Sequence, residues 1–184
     1  MPDTIVRDAT PADVQVIAAL YAEEVSERVN TYEYDAPDAS EMLRRMQRIV
    51  ADGYPYLVAE HHGRFAGYAY AGSFRVRAAY RPTVENSVYV HPGCAGKGVG
   101  SALMQRLIDE CTARGFRQMI AVIGEPTNTA SVRLHERFGF EHVGTFAGIA
   151  WKHGRWLDTM FMQRALGNGD TNAPDPPNAN GTPP

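Results

Sequence analysis

The feature that most constrains this chain is a run of glycines at alternate positions directly after an apolar strand. The segment Val88-Tyr89-Val90 leads into a turn, and Gly96, Gly98 and Gly100 then open an amphipathic helix. Glycine lets the backbone approach a ligand closely, and the free N–H groups of a first helical turn attract anions. The pattern predicts a strand, a turn and a helix that bind a phosphate or pyrophosphate. A tight turn without a ligand is the alternative that spacing alone leaves open.

Two other nucleotide motifs fail on spacing. A P-loop requires four residues between its glycines and then Lys-Ser or Lys-Thr. Here two residues separate Gly93 from Gly96, and Gly98 follows Lys97. A dinucleotide fingerprint, GxGxxG, lies directly after the first strand of a fold. Here Gly100 comes one position too early to be the third glycine, and four predicted strands precede the loop. Both motifs are excluded.

Composition narrows the class of protein. The chain has 184 residues, 44% of them hydrophobic, with 18 Lys+Arg against 21 Asp+Glu and a net charge of -3. That is enough for one domain, and the charge argues against nucleic acid as a partner. We find no apolar run of membrane-spanning length, no signal-peptide pattern at residues 1–4, and no metal-ligand cluster around Cys94 or Cys111. We expect a cytoplasmic protein with no bound metal, no nucleic acid and no membrane contact.

Strand and helix signals alternate along residues 1–167, and together they predict one α/β domain with a mixed sheet and helices on both faces. The order is βααβββαβαββ. The predicted strands are 4–7, 56–60, 64–74, 83–90, 118–123, 142–149 and 156–163, and the predicted helices follow Thr10 and occupy about 40–53, 98–114 and 129–138. Residues 168–184 are dominated by Pro, Asn and Gly, and we predict a disordered tail there because so few apolar side chains cannot offset the ordering entropy.

The loop resembles the acetyl-CoA pyrophosphate loop of the Gcn5-related N-acetyltransferases (GNAT), written [QR]xxGx[GA]. Ala95 stands where the family has Gln or Arg, which removes one polar contact. The segment 128–140 is similar to the family's N-x-x-[AS]-x-x-[LM]-[YH]-x-x-x-G-[FY] helix. The resemblance implies that acetyl-CoA contacts the amides of the loop and a splayed strand end, and that Asn128 and Ser131 line its pantetheine arm. The implied loop and strand residues are Val88, Tyr89, Val90, Ala95, Gly96, Lys97, Gly98, Val99, Gly100 and Ser101.

Longer segments, 69–90 and 151–158 among them, look like the phosphinothricin and methionine sulfoximine acetyltransferases. This resemblance implies a GNAT-like fold and transfer of acetyl to the α-amino group of a small amino acid analogue, by direct attack in a ternary complex. It also implies a detoxifying role and a homodimer formed by the C-terminal strands near Trp151 and Trp156. That tryptophan pair is equally compatible with a place in the core.

Acetyl transfer to an amine needs a base, and Glu85 on the strand before the loop is the candidate that the resemblance favours, if burial raises its pKa. An exposed carboxylate or an ion pair is the alternative. An amide near the splayed end would stabilise the oxyanion. His135, where many members of the family carry a tyrosine, is the candidate acid for the leaving thiolate or a relay to Glu85. Its alternative is a histidine that only packs or caps.

The acceptor site is predicted from charge. Arg75 matches the subfamily's carboxylate contact, because a guanidinium binds a carboxylate bidentately. Phe74, Arg77 and Tyr80 are close to it in sequence, and the loop 30–34 with Tyr32 is expected to close over the site. Ordinary charged residues at a strand end are the alternative for the arginines. Two alternatives stay open: a peptide N-terminal or polyamine acetyltransferase on the same fold, and a non-catalytic acyl-CoA-binding sensor.

Overall fold

The computed structural model describes residues 3–174, and its elements follow the predicted order. The strands are β1 (Thr4–Asp8), β2 (Tyr56–His61), β3 (Arg64–Ser73), β4 (Thr83–Val90), β5 (Gln118–Gly124), β6 (Glu141–Lys152) and β7 (Arg155–Ala165). The helices are α1 (Val14–Glu27), α2 (Ala39–Ala51), α3 (Val99–Ala113) and α4 (Thr129–Arg137). Most predicted bounds are within two residues; β6 is longer than predicted because its exposed outer half carries little apolar periodicity.

The strands form one seven-stranded sheet in the order β1-β2-β3-β4-β5-β7-β6. The β4–β5 pair is parallel, and the other pairs are antiparallel. Alternate residues of β2 face opposite sides, as strand geometry requires. Leu57 and Ala59 pack in the core that includes α3, whereas Tyr56 and Val58 pack against α1 and α2. The sheet is therefore mixed with helices on both faces, as predicted.

The sheet splits at its centre. Pairing between β4 and β5 ends at Asn86 and Ala121, although β4 continues to Val90 and β5 to Gly124. On its other edge, β5 pairs with β7 along its whole length. The backbone groups of β4 that face β5 beyond Asn86 therefore have no strand partner, and the predicted splay is present.

The C-terminal segment is described as far as residue 174. Residues 168–172 form turns, and the guanidinium of Arg117 donates hydrogen bonds to the Asn172 side chain and the Ala173 carbonyl. Residues 175–184 lie outside the described residues, so the disordered tail stays a prediction. Between residues 3 and 174, every helix is too short or too polar to cross a membrane.

Candidate active site

A cleft of about 720 Å³ opens where β4 and β5 separate. It collects segments far apart in the chain: the end of β4, the glycine loop, the start of α4, the end of β5 and the loop between α1 and α2. The predicted residues that line it are Tyr32, Glu85, Val88, Tyr89, Val90, Ala95, Gly96, Gly98, Val99, Gly100, Ser101, Asn128, Ser131 and His135. Lys97, Phe74, Arg75, Arg77 and Tyr80 are outside this lining.

The glycine loop presents backbone donors to the cleft. Gly96 and Gly98 have φ of 74° and 80°, in the left-handed region that favours glycine, and Gly98 is the residue that caps α3. The N–H groups of Val99, Gly100 and Ser101 follow, and the first turn of a helix offers them no carbonyl partner. The Lys97 amide instead donates to the Cys94 carbonyl, 3.3 Å away. The other amides and the helix dipole are therefore arranged in a way that can attract an anion.

Glu85 lies on the opposite wall of the cleft. Burial raises the pKa of its carboxyl, and the nearby positive charge of Arg75 opposes that rise. The charge of Glu85 in turn contributes to the raised pKa of Tyr32 and Tyr70, after the larger effect of burial on both phenols. Tyr70 on β3 is the cross-strand partner of Ser87, which lies two residues beyond Glu85 on β4. A partly desolvated carboxylate among phenols is suited to accept a proton.

The segment 74–80 stands at the edge of this wall. The Arg75 guanidinium stacks on the Phe74 ring at 4.4 Å and donates a hydrogen bond to the Phe74 carbonyl. Arg75, Arg77 and Tyr80 are exposed, and Val76 is fully exposed. Arg75 is thus near enough to lower the pKa of Glu85 while its remaining donors face solvent.

His135 is buried, with 4% of its surface exposed. Its Nδ1 lies 2.8 Å from the Ser131 carbonyl oxygen, which only accepts, so Nδ1 carries the proton. Its Nε2 lies 3.1 Å from the side-chain amide of Asn86. Burial lowers the pKa of the imidazole and so favours the neutral ring, in which a proton on Nδ1 leaves Nε2 as an acceptor. Asn86 points its Oδ1 at Nε2, while its NH₂ has no partner in the described chain. Turning this amide over by 180° lets the NH₂ donate to Nε2 and pairs both groups.

These contacts tie α4 to β4 and occupy both ring nitrogens. Asn86 and Glu85 are successive residues of β4, so their side chains point to opposite faces of the sheet. A relay from His135 to Glu85 would have to cross the strand. The acid role of His135 stays a prediction, and the hydrogen bonds on both of its ring nitrogens favour a positioning role.

The loop between α1 and α2 closes over the end of β5. A Cβ on Gly124 would lie 2.4 Å from the Val29 carbonyl oxygen, so this approach requires glycine. The Tyr32 hydroxyl bonds to Thr159 on β7, and the buried Lys152 ammonium donates to the Thr31 carbonyl at 2.8 Å. We call residues 28–34 the lid; Arg28, Asn30, Thr31 and Tyr32 line the cleft, and closure of the lid over an acceptor stays a prediction.

Several cleft residues were missed from the sequence. Tyr21, Glu24, Tyr70 and Asn86 line it. Tyr70 was within reach of sequence reasoning, because alternation along two adjacent predicted strands places it on the Glu85 face. The others depend on contacts between distant segments, which no local pattern records.

A comparison with known protein families decides which family the chain belongs to. The sequence profile described as the acetyltransferase (GNAT) family matches residues 16–140. The chain belongs to this family.

Relatives of this GNAT protein cover most of its length. A phosphinothricin N-acetyltransferase of Alcaligenes faecalis is 44% identical over 93% of this chain and 85% of its own. An L-methionine sulfoximine/L-methionine sulfone acetyltransferase of Salmonella typhimurium is 40% identical over 88% of this chain and 94% of its own. The crystal structure of a phosphinothricin acetyltransferase from Sinorhizobium meliloti, in complex with acetyl-CoA, has a TM-score of 0.92 and 47% identity. It covers 98% of this chain and 97% of that one.

Metal chemistry has no visible basis in the part of the chain that the structure describes. Residues 3–174 contain no group of three or more His, Cys, Asp or Glu side chains placed to hold an ion. The expectation of a metal-free enzyme stays a prediction.

Proposed function

We propose that this protein is an acetyl-CoA-dependent N-acetyltransferase that acylates the α-amino group of a small amino acid analogue such as phosphinothricin or methionine sulfoximine or sulfone. The proposal rests on one observation, which is that a carboxylate and a set of free backbone amides lie on facing walls of one cleft. A half-buried carboxylate, Glu85, lies on one wall, and the free backbone amides at the start of α3 lie on the other.

The residues of the second wall fit acetyl-CoA. The open positions at Gly96 and Gly98, where an added Cβ would meet nothing within 4 Å, leave room for a pyrophosphate against the amides. Asn128 and Ser131 lie at the start of α4 beside the path toward the gap. When bound there, acetyl-CoA supplies the activated acetyl thioester.

Glu85 would act first, by taking a proton from the acceptor ammonium directly or through a water. Its raised pKa strengthens it as a base relative to an exposed carboxylate. The neutral amine would then form a C–N bond to the acetyl carbon while the C–S bond breaks, and the second proton lost by the nitrogen would pass to the departing sulfur, which gives the amide and the free thiol of CoA. The β4 backbone donors freed beyond Asn86 are placed to hold the oxyanion, a contribution of about 3 kcal/mol for one donor.

Arg75 is the proposed clamp for the acceptor carboxylate. Its stacking on Phe74 holds the guanidinium plane, and its charge already acts on Glu85. An acceptor bound by its carboxylate at Arg75 would place the adjacent α-amino group toward the base. Arg77, Tyr80 and Tyr32 complete the proposed acceptor site at the rim and the lid.

We also propose a homodimer, a cytoplasmic location and a detoxifying role. Exposed apolar side chains on β6 and β7 support the dimer: Val143 is 62% exposed, Phe146 58%, Trp151 48% and Trp156 64%. Trp151 and Trp156 contact each other at 5.3 Å on the surface and not in the core. The detoxifying role follows from the proposed substrates, since acylation removes the positive charge of the amine.

The deciding experiment is a free-thiol release assay with acetyl-CoA. The acceptors are methionine sulfoximine, phosphinothricin, spermidine and a short peptide, and the enzymes are wild type, Glu85→Gln and Arg75→Ala. We expect turnover on the first two acceptors that falls strongly in both variants. Turnover only on spermidine or the peptide would overturn the substrate. Cofactor binding without turnover on any acceptor would favour an acyl-CoA sensor.

A further inference from the structure

A continuous chain of hydrogen bonds joins the two walls of the cleft. The Asn30 side-chain NH₂ donates to the Glu24 carboxylate at 2.6 Å, and the Asn128 NH₂ donates to the Asn30 carbonyl oxygen at 2.8 Å. The backbone N–H of Ser131 donates to the Asn128 carbonyl oxygen at 3.2 Å. All of these residues line the cleft. We call this chain the bridge.

The two ends of the bridge fix its direction. Glu24 is 3% exposed and pairs with the Arg28 guanidinium 3.5 Å away, so its carboxylate oxygens serve as acceptors. The Ser131 N–H at the other end only donates. The amides of Asn30 and Asn128 therefore have one orientation each that satisfies both ends. Reversing either amide would place two acceptors or two donors against each other in a partly buried site.

The bridge also crosses between elements on opposite faces of the sheet. Glu24 belongs to α1, which packs with Tyr56, and Asn128 caps α4, whose Leu134 packs in the core that includes α3. Asn30 stands between them in the lid, whose backbone approaches Gly124 closely. Because that backbone is held in place, an asparagine has the length and the paired donor and acceptor that the link requires.

We propose that Asn30 is a positioning residue that fixes the distance between the acceptor-side lid and the cofactor-side helix, and thereby sets the affinity for both substrates. This inference rests on the proposed function for the identity of the substrates. It assigns Glu24 and Asn128 as the anchors of Asn30. It requires no contact between Asn30 and the reacting atoms.

The test is to reverse the direction of the bridge. Asn128→Asp keeps the oxygen that caps α4 but replaces the donor to Asn30 with a second acceptor. Adding Glu24→Gln restores a partner for every group: the Asn30 amide turns over, donates to the Asp introduced at 128, and accepts from the Gln introduced at 24. Glu24→Gln alone is the matched control, because the Gln oxygen still accepts from Asn30.

Two quantities are measured for wild type, both single variants and the double variant. They are the Kd of CoA by calorimetry and the KM of methionine sulfone by thiol release, with melting temperatures as a check on folding. We expect Asn128→Asp to raise both constants about tenfold, Glu24→Gln to raise them less, and the double variant to recover most of the loss. The introduced carboxylate is the same in the single and double variants, so recovery isolates the bridge.

A double variant as impaired as Asn128→Asp, or worse, would overturn the bridge. If wild type binds CoA but acylates no amino acid analogue, the proposed function fails, and the pattern of CoA Kd values still decides the bridge. If wild type is active and the four Kd values for CoA are equal, Asn30 positions nothing on the cofactor side and the inference is wrong.

Discussion

The two walls of the cleft hold their ligands by different means. The cofactor wall, residues 96–101 with the start of α4, offers backbone amides at a helix N-terminus. The acceptor wall offers side chains from β3, β4 and the lid, among them Tyr70, Glu85 and Tyr32. A backbone site needs only one conformation of a short segment, whereas a side-chain site needs several segments brought together. The first can be read from local spacing and the second cannot.

The walls also differ in how burial acts on them. Burial raises the pKa of Glu85 and Tyr70 on the acceptor wall, since it disfavours their charged forms. The amides of the cofactor wall do not titrate, and their dipoles favour an anion at any pH. Chemistry that depends on pH should therefore originate on the acceptor wall, and binding of the cofactor should be nearly independent of pH.

The sharpest test of that division is Glu85→Gln. We expect kcat/KM to fall about 10²- to 10⁴-fold, the range for removing a general base, with an unchanged Kd for CoA. Because a base must be deprotonated, wild-type kcat/KM should rise with pH through the raised pKa of Glu85, above its ordinary value of 4.5. The variant should lack this acidic limb in a pH profile of thiol release.

Arg75→Ala sharpens the same result. Removing the guanidinium takes away the charge that lowers the pKa of Glu85, so the acidic limb should move to higher pH. A limb that stays in place in Arg75→Ala and survives in Glu85→Gln would assign the base to another group.

The second largest effect is expected on the cofactor wall, from Ser101→Asp. Ser101 is the third residue of α3, where a carboxylate stabilises the helix through the dipole. The same charge would repel a pyrophosphate at the amides. We expect the KM of acetyl-CoA to rise more than about tenfold while the melting temperature holds or increases.

Ser101→Ala is the matched control, since it removes the hydroxyl without adding charge. A rise in KM of equal size in both variants would assign the effect to the hydroxyl and not to the anion site.

The difference between the walls also explains what could be predicted from sequence. The element order and the strand–turn–helix conformation of the glycine loop follow from local periodicity and spacing, and both are confirmed. Even there, the Lys97 amide turned out to be engaged by Cys94, because the turn before Gly98 closes on itself. That detail depends on backbone dihedral angles, which residue type only biases.

The acceptor wall shows where such prediction stops. Lys152, the last residue of β6, is buried against a carbonyl of the lid 121 residues away in sequence. The pairing of β6 with β7 sets this contact, and lysine is a residue type expected at the surface. Glu24 is buried for a similar reason. Long-range contacts of polar residues leave no periodic signal.

A smaller effect is expected from Lys152→Met, which tests the lid alone. Burial lowers the pKa of this ammonium, and its hydrogen bond holds the Thr31 carbonyl. A methionine fills the same space without the donor, so the lid should lose one anchor. We expect the KM of the acceptor to rise about threefold to tenfold, the KM of acetyl-CoA to change less, and the melting temperature to stay within a few degrees. Equal rises in both KM values would show that Lys152 supports the cleft as a whole.

The smallest effect on turnover is expected from His135→Phe, which decides whether the cofactor wall supplies an acid. Phenylalanine keeps the ring but leaves Asn86 and the Ser131 carbonyl without their partner, so the free energy of unfolding should fall by about 1–3 kcal/mol. Because burial holds the folded imidazole neutral, the unfolded chain binds the extra proton, and wild-type stability should fall as pH drops below about 6.5. Denaturant unfolding at pH 8 and pH 5.5 should show that loss in wild type and less of it in His135→Phe. If folded His135→Phe instead shows a kcat reduced a hundredfold and loses the basic limb of its pH profile, His135 is the proton donor to the thiolate.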